Sequence, residues 1–485
     1  MRVLDTRTGS RITSSGAILQ GIAPSGGLYV PERFPFVPLR EIGALAELPY
    51  AERAVFILSR ILPSFPQDEL AAEIRAAYTR ERFDSPDIAP LIPFTSRLSV
   101  LDLTRGPTLA FKDFALQLLP RLMRLSAKME GDARLRLILV ATSGDTGKAA
   151  LESFAEQDGF ACVVFYPDGG VSETQRLQMA TQRGGNVSVL AVRGNFDDAQ
   201  TGVKRLFTSQ SFIKNVKDMG YTLASANSIN YGRLIPQIVY YFSAYADLLK
   251  RGGVKLGEEV SFVVPTGNFG NILACDYARR MGLPVRKTVL ASNSNKILYD
   301  FITTGEYDTR REFAQTSSPS MDILVSSNLE RFLFETVLRN PTSLNALMSS
   351  LANEKRFSVS AQATRAIRAQ FEAGWADEAA TASAIKEAWQ KYGVLIDTHT
   401  AVAYSVYKNN PLSEQTVIVS TASPFKFAAS VSSALYGAVS DEETLSESTG
   451  ATMPKPIIGL SGKKVLHEKV IERDEMEAAA SDFLK

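Results

Sequence analysis

From about residue 100 onward, the sequence repeats one pattern: a short apolar run rich in β-branched residues, a loop that contains glycine, and then an amphipathic stretch of helical length. This alternation is typical of α/β folds, in which helices cover both faces of a mostly parallel sheet. The apolar runs predicted to be strands are 135–141, 162–166, 187–192, 260–264, 285–291 and 416–420. We therefore expect an α/β protein that binds its ligands beyond the carboxyl ends of parallel strands.

Two parts of the chain depart from this pattern and indicate the domain organisation. Residues 1–95 combine helical periodicity with proline-rich joints, which predicts an N-terminal, mainly helical domain. Residues from about 305 to 392 carry alternating charge at helical spacing, which predicts a helical insertion. We expect two α/β domains, 96–250 and 251–485, with the insertion in the second. The helices predicted in these regions and at the chain end are 51–62, 68–82, 361–370, 379–391 and 467–485.

The composition excludes several classes of protein. The 485 residues include 53 Lys and Arg against 52 Asp and Glu, so there is no basic excess with which to bind nucleic acid. No stretch approaches 18 uncharged apolar residues, and the first residues contain no continuous apolar segment. We therefore expect a soluble cytoplasmic protein with no nucleic-acid or membrane partner.

Cysteine and histidine are scarce in this chain. Cys162 and Cys275 are the only cysteines, and each lies in an apolar run, which predicts two small core residues and no disulfide. His399 and His467 are the only imidazoles, which leaves little material for a zinc site or a Ser-His-Asp triad. We expect no bound metal, and acid–base chemistry must use other side chains.

The segment 106–115 places one lysine, Lys112, in an apolar frame formed by Leu109, Phe111 and Phe114. Burial disfavours an ammonium, so a lysine in this frame would hold more of its neutral amine near neutral pH. A neutral amine is a nucleophile that commonly forms an imine with the carbonyl of a substrate or cofactor. Taken alone, the segment fits better a surface lysine whose stem lies along apolar neighbours. The loops described next change that balance.

Two glycine-containing loops follow predicted strands and have the composition of anion sites. The loop from Thr142 to Lys148 combines glycines, hydroxyls and the backbone N–H groups of a helix start, which suits a carboxylate or a phosphate. A P-loop is excluded, because that motif requires glycine at Thr142 and serine or threonine at Ala149. In the second loop, 265–271, glycines would let a dianion approach the backbone at a helix start. A simple strand-to-helix turn would have the same composition.

A third loop, 421–427, begins with Thr421 at the end of a predicted strand. A neutral hydroxyl at Thr421 could hydrogen-bond a ring nitrogen and leave it unprotonated, whereas a carboxylate would hold a proton there. Threonine at a strand end is also a common propensity choice. Together, however, an imine-competent lysine, a phosphate cradle and a hydroxyl for a ring nitrogen specify pyridoxal 5'-phosphate better than any one of them does.

With these features in place, the chain resembles the threonine synthase family, in its long form with an N-terminal extension. This family belongs to the tryptophan-synthase-β-like group, fold type II of the pyridoxal-phosphate enzymes. The resemblance implies two parallel-sheet α/β domains, an N-terminal domain and a helical insertion. The segments that carry the resemblance are 23–31, 106–116, 142–150, 195–204, 227–237, 266–271 and 397–402.

Carried over residue by residue, the resemblance implies that Lys112 is the Schiff-base lysine and that Thr421 faces the pyridine nitrogen. It also implies two groups of binding residues. The residues that would hold the cofactor phosphate are Gly267, Asn268, Phe269, Gly270 and Asn271. The residues that would meet the substrate carboxylate and the phenolic side of the cofactor are Ser143, Asp145 and Thr146.

The resemblance further implies conversion of O-phospho-L-homoserine and water to L-threonine and phosphate, by γ-elimination and β-addition. Such a lyase of amino-acid biosynthesis needs a second anion site for the substrate phosphate and would act as a monomer or a homodimer. The candidates for this second site are Lys148, Arg233 and Lys204, with the hydroxyls of Ser143 and Ser228. A serine/threonine dehydratase, a phospho-amino-acid lyase and a non-catalytic relative that binds small anions remain as alternatives.

Two departures from the family pattern concern residues near the third loop. The family often has His-Pro-Ala-Lys where this chain has Ser423-Pro424-Phe425-Lys426, and often proline where this chain has Thr398. Neither departure touches the lysine or the phosphate loop. We expect His399, which follows Thr398, to be a structural residue.

Overall fold

The computed structural model describes residues 2–485. One of its two large sheets has five strands, which all run parallel. In spatial order the strands of this first sheet are Val470–Ile471, Val187–Val192, Phe160–Pro167, Leu135–Ala141 and Tyr221–Ser225. The strand Phe160–Pro167 is buried along its whole length because helices cover both faces of the sheet.

The second large sheet has six strands, of which only one edge strand is antiparallel to its neighbour. In spatial order its strands are Phe371–Trp375, Val285–Ser292, Val260–Pro265, Thr416–Ser420, Leu98–Asp102 and Leu91–Pro93. All six strands predicted from the sequence are present and pair in parallel within these two sheets. The predicted fold of two parallel-sheet α/β units is confirmed.

The sheets are assembled from segments that are distant in the chain. Residues 98–102 fall within the bounds 96–250 predicted for the first α/β domain, but the strand Leu98–Asp102 pairs with Thr416–Ser420 in the second sheet. The strand Val470–Ile471 comes from the chain end and pairs with Val187–Val192 in the first sheet. The sequence of a short apolar strand does not reveal which strand it will pair with. Each large sheet therefore contains a strand from outside the continuous stretch of chain that forms most of it.

The N-terminal region contains a small antiparallel sheet that the sequence pattern did not predict. Its strands, in spatial order, are Arg11–Thr13, Arg2–Asp5 and Tyr29–Pro31. They are too short for a clear period-two pattern. Helices otherwise dominate this region, as expected: Ser14–Gln20, Leu39–Ala44, Tyr50–Ile61, Gln67–Ala77 and Arg80–Phe83. The helix predicted at 68–82 is therefore two helices, the second of which Thr79 caps.

The region 305–392 is mainly helical but also carries strands. Its helices are Leu329–Thr336, Pro341–Glu354, Ala361–Gln370 and Glu378–Tyr392. Glu306–Asp308 and Arg356–Ser358 form a two-stranded antiparallel sheet, and Phe371–Trp375 is an edge strand of the second large sheet. The region is thus tied into the second sheet rather than standing apart from it.

The remaining helices surround the two large sheets. Those that follow the strands of the first half of the chain are Asp113–Leu116, Leu119–Glu130, Asp145–Phe154, Glu173–Ala180, Phe196–Thr208, Gln210–Asp218, Tyr231–Leu234 and Pro236–Lys250. Those of the second half are Gly270–Arg280, Ile297–Thr304, Thr398–Asn409, Ala428–Tyr436, Glu442–Thr449 and Met476–Phe483. Between residues 2 and 485, no helix combines the length and the apolar character that crossing a bilayer requires.

The helix predicted at 467–485 is shorter in the structure. Only Met476–Phe483 is α-helical, because Val470–Ile471 joins the first sheet and Arg473–Glu475 forms a 3-10 turn. The charged residues of this stretch therefore do not form one continuous helical face.

Aromatic packing connects the N-terminal helices to the segment that contains Lys112. Phe114 lies edge-on to Tyr50 and to Tyr240, and its carbonyl accepts a hydrogen bond from the Tyr78 hydroxyl at 2.5 Å. All four side chains are buried. Phe114, two residues after Lys112, is thereby held in place both by the N-terminal region and by the helix Pro236–Lys250.

Candidate active site

A cavity of about 1050 Å³ lies where the three glycine- and threonine-containing loops leave the large sheets. The predicted site residues that line it are Lys112, Ser143, Thr146, Ser228, Arg233, Gly267, Asn268, Phe269, Gly270, Asn271 and Thr421. Parallel strands end at the same edge of a sheet, so loops distant in the chain meet there. Two predicted residues, Asp145 and Lys148, are not part of the cavity wall.

Hydrogen bonds between two loops bring Lys112 and Thr421 together. The Phe111 N–H donates to the Thr421 carbonyl at 2.9 Å, and the Ser423 N–H donates to the Leu109 carbonyl at 3.0 Å. Leu109 adopts a left-handed conformation with φ of 60°, which turns the chain toward the cavity just before Lys112. The lysine at the helix start and the threonine at the strand end thus face one cavity.

Lys112 is a buried lysine at the cavity wall, as the sequence predicted. Its Nζ lies 3.2 Å from Asp145 Oδ2 and 4.9 Å from the centre of the Phe111 ring. Burial lowers the pKa of Lys112, and the Asp145 carboxylate opposes this effect only in part. The side chain is therefore closer to a neutral amine than an ordinary lysine is.

Asp113 closes the loop that precedes Lys112. Its two carboxylate oxygens accept hydrogen bonds from the Thr108 N–H at 2.9 Å and from the Thr108 hydroxyl at 2.6 Å. A Cβ at Gly106 would lie 2.3 Å from Asp113 Oδ2, so only glycine fits beside this carboxylate. Burial raises the pKa of Asp113 to about 6. Asp113 thus braces the loop and does not reach the cavity.

The second glycine loop has the geometry of a seat for a dianion. Phe269 adopts a left-handed conformation with φ of 62°, and the helix Gly270–Arg280 starts directly after it, without an acidic residue in its first turn. The first N–H groups of a helix lack intrahelical partners, and the helix dipole makes this end positive. A Cβ at Gly267 would lie 2.4 Å from the Ser320 carbonyl oxygen, so the loop also packs tightly behind the cavity.

Asn271 leaves a hydrogen-bond donor unused beside this loop. Its Oδ1 accepts from the hydroxyls of Tyr240 at 2.5 Å and Tyr241 at 2.7 Å, which fixes the orientation of the amide. Its buried Nδ2 has no hydrogen-bond partner among the described residues. A buried amide donor costs free energy unless it is paired, so the phosphate of a bound cofactor fits this position.

Arg233 brings a buried positive charge to the cavity, and no carboxylate that the structure describes between residues 2 and 485 forms an ion pair with it. Its Nη1 donates to the Ala226 carbonyl, whereas its buried Nε has no partner in the part of the chain that the structure describes. Burial lowers the pKa of Arg233 to about 10. A buried and unpaired guanidinium is a site for an anionic ligand.

A pair of hydroxyls lies next to the second glycine loop. Ser228 Oγ and Ser327 Oγ are 3.0 Å apart, and Ser327 donates to Asn268 Oδ1 at 3.2 Å. All three residues line the cavity, as does Asn227, whose buried Oδ1 has no described partner. Further polar groups for a ligand therefore converge here.

The first glycine loop divides its side chains between the cavity and the interior. Ser143 and Thr146 line the cavity, whereas Asp145 points into a buried cluster. In this cluster Asp145 Oδ1 lies 2.6 Å from Lys426 Nζ and 2.8 Å from Gln175 Nε2. The structure thus places Asp145 behind Lys112 and not where the expected contact with a substrate carboxylate would occur.

Of the two other basic candidates, one lines the cavity and one does not. The Lys148 ammonium contacts Glu152 Oε2 at 2.8 Å and the side-chain oxygen of Gln182, and Lys148 does not line the cavity. The expectation that Lys148 binds the substrate phosphate is corrected on this ground. Lys204 does line the cavity, on the helix Phe196–Thr208, where its Nζ is 3.5 Å from Gln200.

His399 is buried at the cavity wall, with both ring nitrogens engaged. Nδ1 lies 2.6 Å from Asp397 Oδ2, and Nε2 accepts a hydrogen bond from the Ser320 N–H at 3.2 Å. Because Nε2 accepts, the proton of the neutral ring must sit on Nδ1 and point to Asp397. The contact with Ser320 suits the structural role expected of His399, since Ser320 also packs against Gly267.

Some cavity residues were not predicted. Pro24, Gly26 and Leu28 of the N-terminal region line the cavity, together with Glu330, which accepts hydrogen bonds from the side chain of Arg7. The segment 23–31 was noted for its resemblance alone, and its position at the cavity follows only from the fold. Lys426 was also given no role, although it contacts the same carboxylate as Lys112.

Comparison with known proteins shows the family to which the chain is related. Residues 96–423 match the family model of pyridoxal-phosphate dependent enzymes, and residues 3–78 match the model of the threonine synthase N terminus. A threonine synthase of Pseudomonas aeruginosa is 38% identical over 443 residues, which cover 90% of this chain and 91% of that protein. The human protein threonine synthase-like 1 is 39% identical over 87% of this chain. The chain spans only 58% of the length of that relative.

Solved structures of threonine synthases superpose closely on this chain. A crystal structure of a PLP-bound threonine synthase from Brucella melitensis superposes with a TM-score of 0.90, at 35% identity, and the match covers 100% of both chains. A yeast threonine synthase superposes with a TM-score of 0.89 at 31% identity, covering 100% of this chain and 98% of the yeast chain.

Proposed function

The chain belongs to the threonine synthase family of pyridoxal-phosphate dependent enzymes, and on that premise we propose that it converts O-phospho-L-homoserine and water to L-threonine and inorganic phosphate. One observation supports this reaction above the alternatives. The cavity that contains Lys112 has two groups that can bind an anion, the loop 265–271 and the guanidinium of Arg233. A cofactor phosphate and a substrate phosphate need both.

The residues at the cavity fit pyridoxal phosphate. We infer that the backbone of the loop 265–271 and Asn271 Nδ2 hold its phosphate, that Lys112 Nζ bonds to its carbonyl carbon, and that the Thr421 hydroxyl faces its ring nitrogen. When bound, the cofactor supplies a conjugated ring that spreads the negative charge left by removal of a proton. A neutral hydroxyl at Thr421 would leave the ring nitrogen unprotonated.

Lys112 is the proposed acid–base group. With Nζ free of the cofactor, Lys112 would take the proton from Cα and, after passing that proton on, a proton from Cβ. These transfers require a neutral amine, which is consistent with the burial of Lys112. Nζ carries only one added proton at a time, so it must pass the first on before it takes the second. Cγ gains a proton after phosphate has left, and Cα regains one at the end of the reaction.

The substrate itself is proposed to bind through two groups of contacts. Ser143 and Thr146 would hold its carboxylate at the start of the helix Asp145–Phe154, and Arg233 with Ser228 would hold its phosphate. The unpartnered Nε of Arg233 supports the second assignment, because charge-assisted hydrogen bonds from a guanidinium orient phosphate groups well. Phosphate held there would be positioned as the leaving group at Cγ.

The alternatives predict different products from the same cavity. A serine/threonine dehydratase needs no second anion site, so Arg233 would then have no ligand. A phospho-amino-acid lyase would release phosphate and a keto acid instead of threonine. A non-catalytic anion-binding relative would not need the reactive lysine.

One experiment separates these possibilities. We would load the full-length protein with pyridoxal phosphate, incubate it with O-phospho-L-homoserine, and quantify threonine, phosphate and keto acids. We expect threonine and phosphate in equal amounts, and no threonine from Lys112→Ala. Phosphate with a keto acid would indicate a lyase, and no product from loaded protein would favour the binding relative.

We extend the proposal to location and assembly. In this proposal the enzyme is cytoplasmic, acts on a small phosphorylated amino acid, and is a monomer or a homodimer. Gel filtration with light scattering would test the assembly, and a mass above that of a dimer would contradict it.

A further inference from the structure

Lys426 is a second lysine buried next to Lys112. Its side chain is fully buried, and its Nζ lies 2.6 Å from Asp145 Oδ1 and donates to the Thr108 carbonyl at 2.8 Å. Lys112 Nζ contacts the other oxygen of the same carboxylate at the longer distance of 3.2 Å. Two lysines therefore share one buried carboxylate, and Lys426 holds the closer contact.

The charge balance of this cluster depends on the state of Lys112. If both lysines were ammonium ions, three buried charges would sum to one net positive charge. If Lys112 is a neutral amine, Lys426 and Asp145 form a balanced pair. Because an unbalanced buried charge is costly, the cluster as built favours the neutral form of Lys112. Without Lys426, the same carboxylate would pair with Lys112 alone and favour its ammonium.

We propose that Lys426 is a positioning residue that engages Asp145 and thereby leaves Lys112 as a free amine for reaction with the cofactor. The inference rests on the proposed function only in taking Lys112 as the reacting group. Lys426 does not line the cavity, so it acts through Asp145 and not on a ligand.

Several groups around Lys112 change its pKa, some upward and some downward. Burial lowers the pKa of Lys112 most, Asp145 raises it, and Lys426 and Arg233 lower it further. The Phe111 ring, 4.9 Å from Nζ, favours the ammonium weakly. The pKa of Asp145 is lowered although burial alone would raise it, and Lys426 is the largest of the opposing causes. The carboxylate is thus a permanent charge whose influence depends on which lysine it pairs with.

The backbone holds Lys426 in this place. The Lys426 N–H donates to the Ser423 carbonyl at 3.1 Å, and the Lys426 carbonyl accepts from the Ser172 hydroxyl at 3.0 Å. Its bond to the Thr108 carbonyl joins it to the loop that Asp113 braces. The Lys426 ammonium therefore cannot turn away from Asp145 without also losing its buried hydrogen bond to the Thr108 carbonyl.

The test measures the protonation of Lys112 through its reaction with the cofactor, independently of turnover. Cofactor-free full-length protein is mixed with pyridoxal phosphate between pH 5 and pH 10, and the rate of the absorbance rise above about 400 nm is recorded. Borohydride reduction and peptide mapping then verify that the label is at Lys112. The pH at half-maximal rate reports the pKa of this amine.

Two substitutions should move this midpoint in opposite directions. In Lys426→Met the midpoint should rise by about one pH unit or more, with about a tenfold slower reaction at pH 7, and Lys426→Arg should return it toward the wild-type value. In Asp145→Asn it should fall, even if the unpaired Lys426 becomes neutral, because Asp145 influences Lys112 more strongly than Lys426 does. A merely structural role would slow the reaction at every pH without moving the midpoint.

Controls make the outcomes separable. Lys408→Met, which removes a lysine paired with Glu387 at the surface, should keep the wild-type midpoint. Midpoints that do not move, or that move the same way in Lys426→Met and Asp145→Asn, would overturn the proposal. If Lys426→Met does not fold, an unchanged or raised midpoint in Asp145→Asn overturns it alone. If Lys112→Ala still gives the same absorbance band, the assignment of Lys112 fails instead.

Discussion

Replacing Arg233 by methionine should make the ligand-free protein more stable and the enzyme less active. Arg233 is buried and makes one hydrogen bond, from Nη1 to the Ala226 carbonyl, while its Nε has no described partner. Its charge therefore opposes folding and is useful only when an anion is bound. Methionine fills a similar volume without a charge.

The magnitude follows from the burial of the guanidinium. Burial lowers the pKa of Arg233 from its ordinary 12.5 to about 10, and this difference corresponds to about 3 kcal/mol of unfavourable free energy at neutral pH. Loss of the hydrogen bond to Ala226 offsets about 1 kcal/mol of that gain. We expect Arg233→Met to raise the free energy of unfolding by about 2 kcal/mol. Loss of charge-assisted contacts to phosphate should lower kcat/KM roughly 10- to 100-fold.

The assay combines urea denaturation without ligand, steady-state kinetics with O-phospho-L-homoserine, and inhibition by inorganic phosphate. Arg331→Met is the matched control, because Arg331 is also buried and its pKa is also lowered to about 10. Its guanidinium, however, donates to the carbonyls of Tyr29 and Ile229 and to the side chain of Asn328. The loss of these three hydrogen bonds offsets the gain from removing the charge, so this variant should not become more stable. Unchanged kinetics and phosphate inhibition in Arg233→Met would refute the assignment of Arg233 to the phosphate.

Three further predictions concern other parts of the site. Lys112→Ala should abolish threonine formation and keep the wild-type Tm; residual turnover above about one thousandth would contradict its role. Gly267→Ala should cost about 1–3 kcal/mol of stability and weaken cofactor binding, because its Cβ would lie 2.4 Å from the Ser320 carbonyl oxygen. In Gly270→Ala the new Cβ would lie 3.4 Å from its nearest neighbour, so in a thermal unfolding scan this variant should behave like the wild type. Burial raises the pKa of Asp113 from 3.8 to about 6. The protonated carboxyl therefore stabilises the fold below pH 3.8, and this contribution of about 3 kcal/mol should be lost as the pH rises through 6. Urea unfolding midpoints measured against pH would argue against this if Asp113→Asn showed the same pH dependence as the wild type.

The sequence pattern was sufficient for the strands and for the loops that follow them. The runs at 135–141, 187–192 and 416–420 coincide with observed strands, because buried parallel strands read as continuous apolar segments. Which strands pair was not predictable: Leu98–Asp102 joins Thr416–Ser420 across more than 300 residues. Local periodicity carries no information about such a distant partner.

The same limit applies to the site. Local composition alone left Lys112 open, because the segment 106–115 fits a surface lysine better. Lys112 and the loop 265–271 could be proposed as site residues only from the three loops together and from the resemblance to the family. The direction of each side chain was not predictable from spacing. Asp145 and Ser143 belong to one loop, yet Ser143 lines the cavity and Asp145 points to Lys426, a residue distant in the chain. The position of a residue in a loop predicts the region of the fold in which it lies, whereas its side-chain contacts depend on packing with residues distant in the chain.

The most direct measurement locates the bond between this protein and its cofactor. Full-length protein loaded with pyridoxal phosphate would be reduced with borohydride, digested and mapped by mass spectrometry. We predict that the pyridoxyl group is found on Lys112, at one equivalent per chain, and that Lys112→Ala carries none. Label on another lysine such as Lys426, or no label on protein that retains the cofactor absorbance, would contradict the assignment on which the proposed function depends.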